Sequence, residues 1–140
     1  MAYGNLLTDV VQSSTTGTPP VFKDGNGTEV GTLCRAWVQF TGSTATKNGS
    51  YNVSSVTRTG AGNYTINFTN AMPDTNYGIV FGCTSDFALG SGTSLFSGSS
   101  ASRDFFYNSI NTTSCTFICG YLYSASTLAD FTNISIAIFR

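Results

Sequence analysis

Seven carboxylates, four thiols and no histidine set the chemical limits of this chain. The carboxylates are Asp9, Asp24, Glu29, Asp74, Asp86, Asp104 and Asp130. A glycosidase needs two of them across a cleft, one as general acid and one as base or nucleophile. Asp86 and Asp104 flank a Gly- and Ser-rich stretch and form the pair that could meet. Most of the others stand in turn contexts: Lys23-Asp24-Gly25-Asn26, Pro73-Asp74 and Leu128-Ala129-Asp130. There the expected role is bonding to nearby backbone. A Ser–His–Asp or Cys–His centre is impossible within one chain without histidine. Among Cys34, Cys83, Cys115 and Cys119, the spacing Cys115-x3-Cys119 hints at zinc. It falls in a strand-like segment with no second Cys or His pair nearby, so buried free thiols fit best, ahead of a disulfide and then a metal. The expectation is a protein with no catalytic residues, no metal and no cofactor.

The surrounding composition agrees with a non-catalytic role. Only 9% of the residues are charged, the net charge is −1, and aromatics reach 14%. Nearly half of the chain is Gly, Ser, Thr or Asn. The six basic residues are scattered, which argues against nucleic-acid binding. Low net charge favours association with other protein. No stretch approaches the roughly 20 apolar residues of a membrane helix. The start, Met1-Ala2-Tyr3-Gly4-Asn5, lacks a signal-peptide pattern, so synthesis in a cytoplasm is expected. Seven Asn-x-Ser/Thr sequons, at Asn26, Asn48, Asn52, Asn63, Asn67, Asn111 and Asn133, follow from composition rather than from glycosylation.

The elements that must position any site read as strands. Residues 1–31 are punctuated by Gly and Pro and read as an extended N-terminal arm, with Leu6, Leu7, Val10 and Val11 as candidate attachment residues. From residue 32 to 140 the period becomes two. Cys34, Ala36, Val38 and Phe40 share one face of a strand over 33–40, with Trp37 on the other. Tyr64, Ile66 and Phe68 align within 63–69. So do Tyr77, Ile79, Phe81 and Cys83 within 77–83, Cys115, Phe117, Cys119 and Tyr121 within 114–122, and Ile134, Ile136 and Ile138 within 133–139. Shorter strands are expected at 51–57 and 103–108, and a hairpin turn at Gly60-Ala61-Gly62. The fold class is all-β: an antiparallel β-sandwich, jelly-roll-like or barrel-like. The strands at 77–83 and 133–139 carry apolar or small residues on both faces. They lie mid-core or at a subunit contact, so Trp37, Val80, Ala137 and Phe139 are oligomer-interface candidates. Phe87, Phe96, Arg103, Asp104 and Phe106 are receptor-contact candidates, because aromatic rings beside Asn, Ser and Asp suit carbohydrate or protein contacts. Phe105 and Tyr107 read equally well as core.

The segment Gly31-Thr32-Leu33-Cys34-Arg35-Ala36-Trp37-Val38-Gln39-Phe40-Thr41-Gly42 resembles short fibre-type virion proteins of tailed bacteriophages, particularly those of cyanobacteria and other aquatic bacteria. Further matching stretches follow in the same order. They are Pro20-Val21-Phe22-Lys23-Asp24, Tyr51-Asn52-Val53-Ser54-Ser55-Val56, Asn63-Tyr64-Thr65-Ile66-Asn67-Phe68 with Ala71-Met72-Pro73-Asp74-Thr75-Asn76-Tyr77, and Ile136-Ala137-Ile138-Phe139-Arg140. Together they span roughly 18–82 and 131–140. The resemblance implies a virion component, commonly trimeric, often a tail fibre or receptor-binding tip, and supplies no catalytic residues. Residues 84–130 fall outside it and would be the variable, outward-facing segment touching a host-surface glycan or protein. The leading expectation is a non-enzymatic tail fibre or tip. The alternatives are a capsid or tail decoration protein without receptor, and, further off, a polysaccharide-degrading enzyme.

Overall fold

The computed structural model describes residues 10–12, 14, 20–31, 33–84, 103–121 and 127–140. Leu6, Leu7, Phe87 and Phe96 therefore lie outside the described residues, and Arg103 and Asp104 are described in their backbone only. No helix occurs among the described residues, and so none is long and apolar enough to cross a membrane.

The chain divides into two units, Met1–Leu33 and Cys34–Arg140. The first holds a short hairpin, β1 (Phe22–Lys23) with β2 (Glu29–Gly31). Asp24 closes it, its carboxylate accepting the N–H groups of Asn26 and Thr28 at 2.9 Å each. This is the turn-local role expected of Asp24. Val10 and Val11 are exposed.

The second unit is an antiparallel sandwich. Its strands are β3 (Cys34–Thr41), β4 (Thr46–Tyr51), β5 (Val53–Gly60), β6 (Asn63–Phe68), β7 (Gly78–Thr84), β8 (Arg103–Ile110), β9 (Ser114–Tyr121), β10 (Thr127–Leu128) and β11 (Asn133–Phe139). One sheet runs β4-β3-β11-β7. In the other, β5 pairs β6, β6 pairs β9, and both β8 and β10 pair β9. Alternation decides what goes inside. β3 buries Ala36, Val38 and Phe40, β6 buries Tyr64, Ile66 and Phe68, β9 buries Cys115, Phe117 and Cys119, and β11 buries Ile134, Ile136 and Ile138. Aromatic rings join the two layers. Phe40 meets Tyr64 edge-on at 5.1 Å, and Phe81 stacks on Phe105 at 5.1 Å and tilts against Phe117 at 5.4 Å. Each such ring removes about 1.5–3 kcal/mol worth of apolar surface from water.

Two expectations change. β4, with sequence Thr-Lys-Asn-Gly-Ser-Tyr, has no apolar alternation and was not foreseen; as an edge strand with a register shift against β3 it has little to bury. The strand expected at 51–57 is two elements, because Tyr51 ends β4 and Val53 begins β5. The chain passes from one sheet to the other through Asn52 alone, at φ 54°. Asn tolerates this left-handed position better than other residues with a Cβ. Its side chain fixes the crossing: Nδ2 donates to the carbonyls of Arg35 and Asn70 at 3.1 Å, and Oδ1 accepts the Asn70 N–H at 2.7 Å. Asn52→Ala should cost about 2–3 kcal/mol, read by urea denaturation, through three lost bonds and an unfavourable φ. Asn52→Gly loses the bonds but not the backbone preference and should cost about 1 kcal/mol less. Equal costs would show that the left-handed geometry contributes nothing.

Candidate functional site

The outward face of the four-stranded sheet carries a row that crosses every strand. Register places Tyr51 opposite Trp37, Trp37 opposite Ala137, and Ala137 opposite Val80. Tyr51 is 60% exposed, Trp37 42% and Val80 56%. Next to this row runs Gly49, Gln39, Ser135 and Gly82. A groove of about 480 Å³ opens here, lined by Trp37, Gln39, Val80, Gly82, Ser135 and Ala137 among others. Gly49 explains how an indole fits on a sheet surface. A Cβ there would stand 3.2 Å from Cη2 and 3.3 Å from Cζ3 of Trp37, so the ring lies over bare backbone. Phe139, the fourth interface candidate, ends β11 on the same side, opposite Gly78, and is half-exposed. Trp37, Val80, Ala137 and Phe139 are thus brought to one face. Tyr51 and Gly49 belong to it as well, and sequence reasoning missed both because β4 shows no period.

The receptor-contact candidates are not brought together with them. Phe106, 53% exposed, pairs with Ile118 and stands on the outer face of the five-stranded sheet. Phe105 points inward, onto Phe81, Phe117 and Phe131. Tyr107, read as possible core, is 64% exposed; the pairing of β8 with β9 slips between Tyr107 and Ser109.

The described carboxylates of the sandwich are committed elsewhere. Asp74 accepts Nε and Nη2 of Arg140 at 2.8 and 2.5 Å and the Asn76 N–H at 2.8 Å. The Arg140 guanidinium, helped by that N–H, holds its carboxyl below the usual range. Asp130 was expected to bond to its own turn, and instead it joins distant strands. Oδ1 accepts the Tyr64 hydroxyl at 2.5 Å, the Gly62 N–H at 2.9 Å and Arg58 Nε at 3.0 Å, while Oδ2 accepts Arg58 Nη2 at 2.7 Å. The Arg58 hydrogen bonds, with those of Tyr64 and Gly62, pull its carboxyl down to about 2 against the opposing effect of burial. Burial, and then the bond to Asp130, pushes the Tyr64 phenol well above its usual range. Gly42 backs this knot, since a Cβ there would collide with the Phe131 carbonyl oxygen and come 2.9 Å from the Tyr64 hydroxyl. The arrangement is a clasp between the β5–β6 turn and the segment entering β11. A carboxylate so fully bonded is poorly placed to accept a further proton from a substrate.

The cysteines fit the same picture. Cys115 and Cys119 face the core, and burial pushes both thiols up to about 12. Cys119 Sγ donates to the Ala129 carbonyl at 3.3 Å. Among the described residues no group of three or more His, Cys, Asp or Glu side chains could hold a metal ion.

No family model matches the chain, and no curated protein matches it. Among solved structures it is similar to the phiAB6 tailspike, whose crystal structure holds three-repeated oligosaccharides of Acinetobacter baumannii surface polysaccharide. The similarity has a TM-score of 0.47 at 16% identity and covers 95% of this chain, which spans 30% of the length of that tailspike.

Proposed function

We propose that the chain is a non-enzymatic structural protein of a tailed-bacteriophage virion, a short tail fibre or receptor-binding tip that works as a homotrimer. The observation that carries the reading is the uncovered row Tyr51–Trp37–Ala137–Val80 on a sheet face with no carboxylate among the described residues. Such a face offers contact area and no acid–base pair. Charge depletion around aromatic and small residues is the composition of an interface core. Residues 1–31 would attach the protein to the virion, and segment 84–130 would meet a host-surface glycan or protein. Three weak tips engaging together gain avidity without any new contact.

Two measurements test this. Light scattering of the purified protein should give three chains per particle, and one chain at micromolar concentration would refute the oligomer. Virions carrying the protein with segment 84–130 exchanged for that of a relative should change host adsorption. Unchanged adsorption would favour the decoration role. Loss of host-envelope depolymerisation in an Asp86→Asn, Asp104→Asn variant would instead establish an enzyme; the expected result is no activity in either form.

A further inference from the structure

We infer that the four-stranded sheet faces a rotation axis between copies, with the β7 edge of one copy beside the β4 edge of the next. This rests on the homo-oligomer proposed above and specifies how it closes.

The exposed row does not stop inside the sheet. It begins at Tyr51 on β4 and ends at Val80 on β7, and these are the two edge strands. A two-fold contact through one edge would cover one end of the row and leave the other bare. A head-to-tail ring uses each edge once and covers both.

Strand direction permits this ring. All neighbours in the order β4-β3-β11-β7 are antiparallel, so β4 and β7 run in opposite senses. Rotation of a copy about an axis along the strands keeps each strand's sense. It brings β7 beside a β4 that runs against it, so the antiparallel alternation continues across the boundary.

The β7 edge lacks the usual guards. Natural edge strands deter pairing with charge, proline or a bulge. The Gly78–Gly82 stretch of β7 has no charge and no proline, and its register with β11 is unbroken. β4 carries Lys47 and a bulge at Asn48, but the ammonium is turned onto its own chain, donating to the carbonyls of Val53 and Ser54 at 2.8 and 2.9 Å, and the bulge leaves Gly49–Tyr51 in regular register with β3. The face bears no carboxylate among the described residues. Arg35, near the start of β3, stands where the pairing of β3 with β11 slips. Four strands at about 4.8 Å spacing and seven residues at about 3.3 Å make a face on the order of 400 Å². The apolar row takes up part of that area, and contiguous exposed apolar side chains commonly mark contacts.

The test places cysteines at the two ends of the row, Tyr51→Cys and Val80→Cys, in a Cys34→Ser background. Cys83, Cys115 and Cys119 are buried and do not compete. A short bis-maleimide tolerates a one-residue shift in register. The double variant should give covalent species up to three chains on a denaturing gel, while each single variant stays at one chain. Covalent dimers from Val80→Cys alone would mean a two-fold β7–β7 contact and overturn the ring. A particle that scatters as three chains but does not crosslink in the double variant would overturn the edge pairing while leaving the oligomer standing. A particle that scatters as one chain would remove both.

Discussion

Replacing Asp130 by Ala is expected to destabilise the sandwich by about 2–4 kcal/mol, a Tm fall of about 10–20 °C for a domain of this size. The magnitude comes from what the carboxylate leaves behind. Tyr64 is fully buried, and its hydroxyl has Asp130 as acceptor; the Gly62 N–H is also buried. Each buried polar group stripped of its partner costs about 1–3 kcal/mol. Tyr64→Phe should cost less, because Asp130 keeps Gly62 and Arg58. In the Tyr64→Phe background Asp130→Ala should lose part of its effect, which a double-mutant cycle would show. The same clasp sets the acid limit. With a carboxyl held at about 2 in the fold against about 3.9 unfolded, its contribution is fully present above about pH 4. It is lost as pH falls through about 2, and amounts to about 2 kcal/mol. The signs reverse on the alkaline side. Cys115 and Cys119, near 8.5 when unfolded and about 12 in the fold, contribute stability below pH 8.5 that declines as pH rises toward 12. Without histidine, the urea midpoint should be flat between about pH 5 and 8. The Asp130→Ala variant should lose much of the acid limb and keep the alkaline one. An unchanged acid limb would mean that the clasp is not what fixes it.

Alternation made the buried strands readable. β3, β6, β9 and β11 each set apolar residues at every second position, and their inward faces are the ones expected. β4 was invisible for a physical reason. An edge strand that buries little needs no period, and Lys-Asn-Gly reads as a turn until a partner strand is known. Asp130 was misread because its partners lie 66 to 72 residues away, and no local pattern announces a bond across that distance. The candidate face was half legible. Outward positions on strands with small or apolar residues on both sides pointed to Trp37, Val80 and Ala137. That they form a single row is a fact of register, which periodicity cannot supply. The same limit hid Gly49, whose missing side chain matters only once Trp37 lies across it. Phe106 and Tyr107 show the converse case. Their alternation suggested one inside and one outside; Phe106 is outside as its register requires, but Tyr107, the last paired position before the β8–β9 ladder slips, is exposed too.

Val80→Asp should dissociate the particle while leaving the fold nearly intact. Val80 is more than half exposed in the single chain, so a carboxylate there remains hydrated and should shift monomer stability by no more than about 1 kcal/mol. In the proposed assembly the same position lies within the contact. Each copy would then bury an unpaired carboxylate, at a cost of several kcal/mol each. The substitution repeats in every copy, so the penalty multiplies with the number of chains. Light scattering should fall from three chains to one at micromolar concentration, with the strand signal in circular dichroism retained. Phe106→Asp supplies the matched control. It adds the same charge at similar exposure on the opposite outer face, and should leave three chains. If Val80→Asp stays trimeric while Phe106→Asp dissociates, the five-stranded sheet is the contact. The Trp37 groove would then be open to solvent in the assembled particle and available to a ligand.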